Sequence, residues 1–204
     1  MKPVCLVVGA GAGIGGTVGK RFAAEGYHVV LCRRSDAEGL NTLVADIKAE
    51  GGEASGCLLN AAEEHTLEDM ISATEKGVGS IEVVVFNLGA QIGDRALQDT
   101  SHKAFELCWR LATLSLFRVA STVCPLMEKR GKGTLLITSA TAAVRGNPGQ
   151  HAHAAAMGGR RMLCQSLNAE FGPKGIHVAH ILLDGAVDAP DTLGKMLGPE
   201  AFQT

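Results

Sequence analysis

The feature that most constrains this chain stands near its start: an apolar run, Val4 to Val8, enters Gly9-Ala10-Gly11-Ala12-Gly13-Ile14-Gly15 and continues into a helix-patterned segment. A strand that turns tightly into a helix through glycines aims backbone N–H groups and the positive helix end at one place. A Cβ at the key positions would block the approach of a ligand there. The anion that suits such a turn is a pyrophosphate. A Gly-rich turn alone is weak evidence, and its meaning depends on what surrounds it.

Downstream, apolar runs alternate with helical patterns. Ile14 to Glu25 reads as a helix closed by Gly26, Val29 to Cys32 as a second strand, and Glu38 to Glu50 as a helix ending at Gly51-Gly52. Ala54 to Leu59 is a third strand and Thr66 to Lys76 a third helix. Ile81 to Phe86 is a fourth strand, apolar at five of six positions, as expected of a strand covered on both faces. Ser101 to Glu128 reads as one long helix with Pro125 near its end, Gly133 to Ser139 as a fifth strand, His153 to Phe171 as a helix and Ile176 to Leu183 as a sixth strand. Short strands separated by helices predict βαβ units, right-handed connections and a parallel sheet. The expected fold is therefore α/β, a Rossmann-type doubly wound parallel sheet in three layers, forming one domain over residues 1–204. The Gly-rich turn then lies where a dinucleotide site belongs.

Composition narrows the function classes. The chain has 204 residues, 46% of them apolar and 26 of them Gly, with a formal net charge of −2. Nothing in that balance points to a nucleic-acid or membrane partner, and no apolar run reaches the ~18 residues that span a bilayer. The start of the chain reads as a first strand and not as a signal peptide. Six scattered cysteines, Cys5, Cys32, Cys57, Cys108, Cys124 and Cys164, contain no C-x-x-C. Apolar neighbours make them buried thiols, which suits a reducing, cytoplasmic setting.

The end of the second strand bears on which dinucleotide binds. A carboxylate there accepts from a ribose 2′-OH, whereas a basic side chain pairs with a 2′-phosphate. This chain has Cys32-Arg33-Arg34-Ser35, which favours NADP(H) over NAD. Asp36 follows and would neutralise part of the patch.

Together with residues downstream, these motifs resemble the short-chain dehydrogenase/reductase family along essentially the whole chain. Gly9-x-x-x-Gly13-Ile14-Gly15 has that family's spacing, with Val8 where Thr is usual. Asn60 occupies the place of an Asp that meets the adenine amine. Phe86-Asn87-Leu88-Gly89 is similar to the family's Asn-Asn-Ala-Gly turn. Ile137-Thr138-Ser139 is similar to the strand that ends in the catalytic Ser. Phe171 to Val178 and Asp184-Gly185-Ala186-Val187 resemble the sixth strand and its following Pro-Gly loop, with Asp184 in place of Pro. The resemblance implies that Gly9, Gly11, Gly13, Ile14, Gly15, Arg33, Arg34, Asn60, Asn87, Gly89, Gly185 and Val187 bind the cofactor. It also implies hydride transfer between a nicotinamide and a carbonyl or alcohol. Thr138-Ser139-Ala140-Thr141, Arg145-Gly146 and Pro173 to His180 resemble a branch of the family with an atypical Tyr position.

The catalytic pattern departs from the family. Where the family has Tyr-x-x-x-Lys, this chain reads His153-Ala154-Ala155-Ala156-Met157, and its single tyrosine is Tyr27. The family's Asn in the preceding long helix falls at Ala112. Ser139 remains to orient a carbonyl, and His153, of a residue type with an unperturbed pKa near ~6.5, is the candidate acid/base. Arg161, one turn after Met157, would lean back toward the site in place of the missing Lys. The alternative is a decayed site in which Gln150, His151 and His153 are ordinary polar residues and the chain is a non-catalytic dinucleotide-binding sensor or oligomer partner. His151 and His153 are spaced for different sides of a helix start, and His177 and His180 for opposite faces of a strand, so no metal pair is expected.

Family members continue with another helix and a seventh strand, so the expected sheet lacks its last strand and exposes the edge beside strand six. The Ser101 to Glu128 segment carries Phe105, Leu107, Trp109, Leu111, Leu114, Leu116 and Phe117, more than one apolar stripe. The resemblance implies that this helix pairs across a two-fold axis in a homodimer or homotetramer.

Overall fold

The computed structural model of the chain describes residues 2–90, 93, 95–185 and 187. Strands β1 (Val4–Val8), β2 (His28–Arg33), β3 (Glu53–Leu58), β4 (Ile81–Phe86), β5 (Gly133–Ala140) and β6 (Ile176–Leu183) pair in parallel in the order β3-β2-β1-β4-β5-β6. All residues of β1 are buried, because it is flanked by β2 and β4 and covered on both faces. After β3 the chain crosses to β4 on the other side of β1. The strand order reverses there, and the carboxyl ends of β1 and β4 open the crevice in which such sheets bind ligands.

Helices α1 (Ile14–Ala24) and α2 (Ala37–Ala49) cover one face, while α3 (Thr66–Gly77), α5 (Ser115–Arg130) and α6 (His151–Phe171) cover the other, and α4 (His102–Trp109) packs on α6. Alternate strand residues divide between the two cores. Val7, Val29, Leu31 and Val85 meet Leu40 and Ile47 on the first face. Leu6, Val30, Val84, Phe86 and Ile137 meet Leu67, Ile71, Leu116, Val123 and Phe171 on the second. Each large side chain removed from water in this way contributes about 1.5–3 kcal/mol.

The long helix differs from the sequence-based expectation. It runs from His102 to Arg130, but a π turn at Arg110–Leu114 separates α4 from α5. The Ser115 hydroxyl donates to the Arg110 carbonyl five residues back and also to Ala61 O, which serves the widened turn from the side chain. By length and composition this helix is apolar enough to cross a membrane. Its Leu116, Val119, Val123, Cys124 and Met127 are instead fully buried against the sheet. Among the described residues the sheet's two edges are β3 and β6, and on β6 Ile181 and Leu182 are exposed. The segment expected to lack a seventh strand, residues 188–204, lies outside the described residues, as does Ala186.

Candidate functional site

At the carboxyl end of β1 the chain folds back on itself so closely that only glycine fits. Gly9 adopts φ +97°, and a Cβ there would stand 2.6 Å from the Asn87 carbonyl oxygen. A Cβ on Gly15 would stand 2.1 Å from Gly9 O and 2.9 Å from the Ala10 Cα. The N–H groups of Gly9 and Ala10 both donate to Cys32 O at 2.9 Å, which ties the turn to β2. Gly11 N donates to Gly9 O, and Gly16 N to Gly11 O. Gly13 caps α1 without a side-chain bond, and the first turn carries no acidic residue. No described group accepts from the N–H groups of Ala12, Gly13, Ile14 and Gly15. Such an orphan set at a helix start is an anion site, and the cradle fits a pyrophosphate.

The two arginines after β2 do different work. Arg33 turns inward: Nε and Nη2 donate to Ala10 O at 2.9 and 2.7 Å, and Nη1 meets the Asp36 carboxylate. Asp36 in turn caps α2 from a left-handed conformation by accepting from Gly39 N. Arg33 therefore braces the Gly-rich turn with a fork that only guanidinium geometry provides. Arg34 is exposed and makes no hydrogen bond to another described residue.

The remaining cofactor candidates gather around the same crevice. Asn87 N donates to Val8 O, and its Nδ2 donates to Gly9 O at 3.0 Å. Its Oδ1 accepts from the Thr138 hydroxyl at 2.7 Å, so β1, β4 and β5 are locked together at their carboxyl ends. Gly89 is exposed, with open space where a Cβ would stand. Asn60 follows β3, beside a groove of about 390 Å³ that Cys57, Leu59, Thr66 and Met70 also line. Its loop is pinned from α5 by Arg118, which donates to Glu63 O and pairs with Glu68 at 2.7 Å. That guanidinium holds the Glu68 carboxyl below its ordinary value. Gly185 is exposed and Val187 half-buried beyond β6, and Thr141 donates to Asp184 at 3.1 Å to link the loops after β5 and β6.

On the catalytic side, Ser139 and Met157 come together: the hydroxyl, in a residue only 6% exposed, donates to the Met157 sulfur at 3.7 Å. His153 sits in the first turn of α6, half-buried. Ala112 lies fully buried within the π turn. The inward stripe of α6 is Ala156, Met157, Arg160, Cys164, Leu167 and Phe171, and Arg161 lies half-buried beside it. The basic residue that enters the site's foundations is Arg160, 1% exposed. It donates from Nε to Ala112 O at 3.0 Å, from Nη1 to Thr138 O at 2.8 Å and from Nη2 to Leu88 O at 2.9 Å. Its guanidinium carbon lies 5.0 Å from the centre of the Phe86 ring. Burial pulls its pKa down to about 10. The signal in the sequence was an arginine on an otherwise apolar stripe.

A second feature beyond the sequence reading is a thiol pair. The β2–β3 register sets Cys32 opposite Cys57, with their sulfurs 3.1 Å apart. The hydrogen bond from the Cys32 thiol lowers the Cys57 pKa, whereas burial pushes Cys124 and Cys164 up to about 11. Thiolate fraction and access set alkylation rate, and Cys57 is also half-buried where the others are buried. Iodoacetamide at pH 8 is therefore expected to modify Cys57 at least ~10-fold faster than Cys124 or Cys164. Peptide mass spectrometry over a time course reads this, and equal rates would contradict the assignment.

Comparison with known proteins places this geometry. The short chain dehydrogenase family model matches residues 3–192. A short-chain dehydrogenase structure from Rhodopseudomonas palustris superposes with TM-score 0.84 at 36% identity, covering 88% of this chain and 84% of that one. A 7 alpha-hydroxysteroid dehydrogenase complexed with NADH and 7-oxo glycochenodeoxycholic acid gives TM-score 0.87 at 28% identity, covering 97% and 76%. A gluconate 5-dehydrogenase from Burkholderia cenocepacia J2315, in complex with NADP and tartrate, gives 0.82 at 26% identity, covering 90% and 71%. With its parallel sheet, its glycine cradle at the strand-order switch and a family match along nearly the whole sequence, the chain belongs to the short-chain dehydrogenase/reductase family.

Proposed function

We propose that this chain is an NADP(H)-dependent oxidoreductase acting on a small carbonyl or alcohol substrate, with His153 as its proton donor and acceptor. The family binds NAD(P) nucleotides and acts on hydroxyl or carbonyl groups. The observation that carries the cofactor choice is the division of labour between the arginines. Arg33 is used up on Ala10 O and Asp36, and Arg34 stands exposed beside the turn. A 2′-phosphate there meets a guanidinium with no carboxylate competing for it.

The pyrophosphate would rest on the N–H groups of Ala12 to Gly15, with Gly9 and Gly11 clearing its path. Asn60 would meet the adenine. Asn87, Gly89, Gly185 and Val187 would line the nicotinamide end. The bound nicotinamide supplies or accepts the hydride. His153 holds the proton that the substrate oxygen gains or loses. Ser139 donates to that oxygen after its hydroxyl rotates off the Met157 sulfur, a weak acceptor. Catalysis without a Tyr and Lys draws mainly on His153 and on proximity. The chain works as one dinucleotide-binding domain in a cytoplasmic setting that keeps its cysteines as thiols. Phe105, Trp109 and Phe117, each more than 40% exposed on the α4–α5 helix, support a homodimer or homotetramer built there.

One observation favours a second reading, a dinucleotide-binding protein without turnover: Ser139 is buried against Met157, which leaves its hydroxyl behind the surface. Arg34→Ala separates the cofactor choice from either reading. It is expected to weaken NADPH binding about tenfold or more and to leave NADH binding unchanged, whereas Arg33→Ala weakens both by loosening the turn. Equal effects of Arg34→Ala on the two nucleotides, followed by fluorescence titration, would overturn the assignment.

A further inference from the structure

Arg160 is the largest fully buried side chain in the described structure. Among the described residues no carboxylate pairs with it; its charge is met by three carbonyl oxygens and the face of Phe86. Taking a guanidinium out of water costs several kcal/mol, and a leucine would fill such a stripe position without that cost. The three carbonyls belong to segments that end at one place. Leu88 lies in the turn after β4, directly after Asn87; Thr138 immediately precedes Ser139 in β5; Ala112 lies within the π turn.

We propose that Arg160 is a positioning residue of the dinucleotide site, setting from beneath the backbone that meets the nicotinamide half of the cofactor. This inference rests on the crevice being the dinucleotide site. A trans peptide is planar, with its C=O and N–H pointing in opposite directions. Drawing Leu88 O down to Arg160 therefore turns Gly89 N–H away from the core, at an exposed residue with nothing within 4 Å of where a Cβ would stand. The same guanidinium holds Thr138, whose hydroxyl orients the Asn87 amide. Arg160 thus fixes two neighbouring peptides and one side chain of the crevice without reaching its surface. It also places a permanent positive charge under that end of the site, which Met157 cannot supply. Its field extends to His180, lowered first by burial and then by Arg160 and Arg161.

The test separates the two halves of the cofactor. NADPH spans the whole site, whereas 2′,5′-ADP occupies only the adenine half. Arg160→Met is expected to weaken NADPH about tenfold and to leave 2′,5′-ADP within about twofold of wild type, both read by isothermal titration. A residue that merely supports the fold would weaken both ligands together. Arg160→Lys keeps the charge but reaches fewer carbonyls, and is expected to weaken NADPH about threefold with 2′,5′-ADP unchanged. If Arg160→Met does not fold, the lysine variant decides on the same criterion. Equal losses for both ligands, or no loss for either, overturn the proposal while wild-type NADPH binding stands. Should the wild-type protein prefer NADH, NADH against AMP makes the same comparison. A wild-type protein that binds neither dinucleotide overturns the assigned function and this proposal together.

Discussion

Replacing His153 with alanine is expected to lower turnover of a carbonyl substrate by ~10²–10⁴-fold, the range a general acid/base supplies, with NADPH affinity unchanged. The expectation follows from position and chemistry. His153 sits in the first turn of α6 at the place where the family resemblance puts its Tyr, and the chain's single tyrosine, Tyr27, packs edge-on against Phe22 beside β2. Histidine is the residue type suited to acid/base work near neutral pH, and His153 stands one helical turn before Met157, whose sulfur accepts from the Ser139 hydroxyl. Ser139→Ala is expected to cost less, about tenfold, because its hydroxyl contributes one neutral hydrogen bond and starts out bonded to sulfur. A Ser139 effect larger than the His153 effect, in steady-state kinetics on matched substrates, would reverse these roles. Retained turnover in His153→Ala would remove the histidine from the mechanism altogether.

The second large effect concerns the glycine cradle. Gly15→Ala is expected to abolish nucleotide binding and to destabilise the protein by about 1–3 kcal/mol or more, because the new methyl would meet fixed backbone at 2.1 Å with no flexible neighbour to yield. For a domain of this size that lowers Tm by roughly 2–10 °C. Gly11→Ala is the control: nothing lies within 4 Å of its would-be Cβ, so it is expected to melt within about 2 °C of wild type. Any loss of NADPH affinity in Gly11→Ala then reports a contact with the ligand and not with the protein. A Gly15→Ala protein with wild-type Tm and affinity would mean that the turn is looser than its geometry states.

Most of the architecture was legible because it is written locally. The ranges of β1, β4 and β6 agree with the hydropathy runs, since strands of a parallel sheet flanked by helices are predominantly apolar. The glycine turn announced itself through spacing that few other structures require. What the sequence did not show are arrangements made by tertiary contact. The π turn at Arg110–Leu114 depends on Ser115 reaching both Arg110 O and Ala61 O, and helical periodicity carries no trace of it. Spacing points to Arg161 and gives no sign of Arg160, because an arginine is expected at a helix surface, and only the carbonyls of Leu88, Ala112 and Thr138 explain one inside. Arg33 and Arg34 read as a matched pair, yet Ala10 O draws one inward and leaves the other outside. The Cys32–Cys57 contact needed the β2–β3 register, which spacing alone does not give.

These differences share a direction. The backbone of the crevice is set by side chains from behind it: Arg33 under the glycine turn, Asn87 and Thr138 between β1, β4 and β5, and Arg160 beneath the turn after β4. Rigid support of this kind is what a site needs when it must present N–H groups to a long, flexible dinucleotide. It also explains how the cradle keeps its shape although the resemblance puts His153 and Met157 where the family has Tyr and Lys.

The most direct test of the dinucleotide site is titration of the wild-type protein with NADPH and with NADH, followed by nucleotide fluorescence. Saturable binding of both is expected, with NADPH at least about tenfold tighter. Tighter binding of NADH would contradict the role given to Arg34, and no binding of either would contradict the dinucleotide site itself.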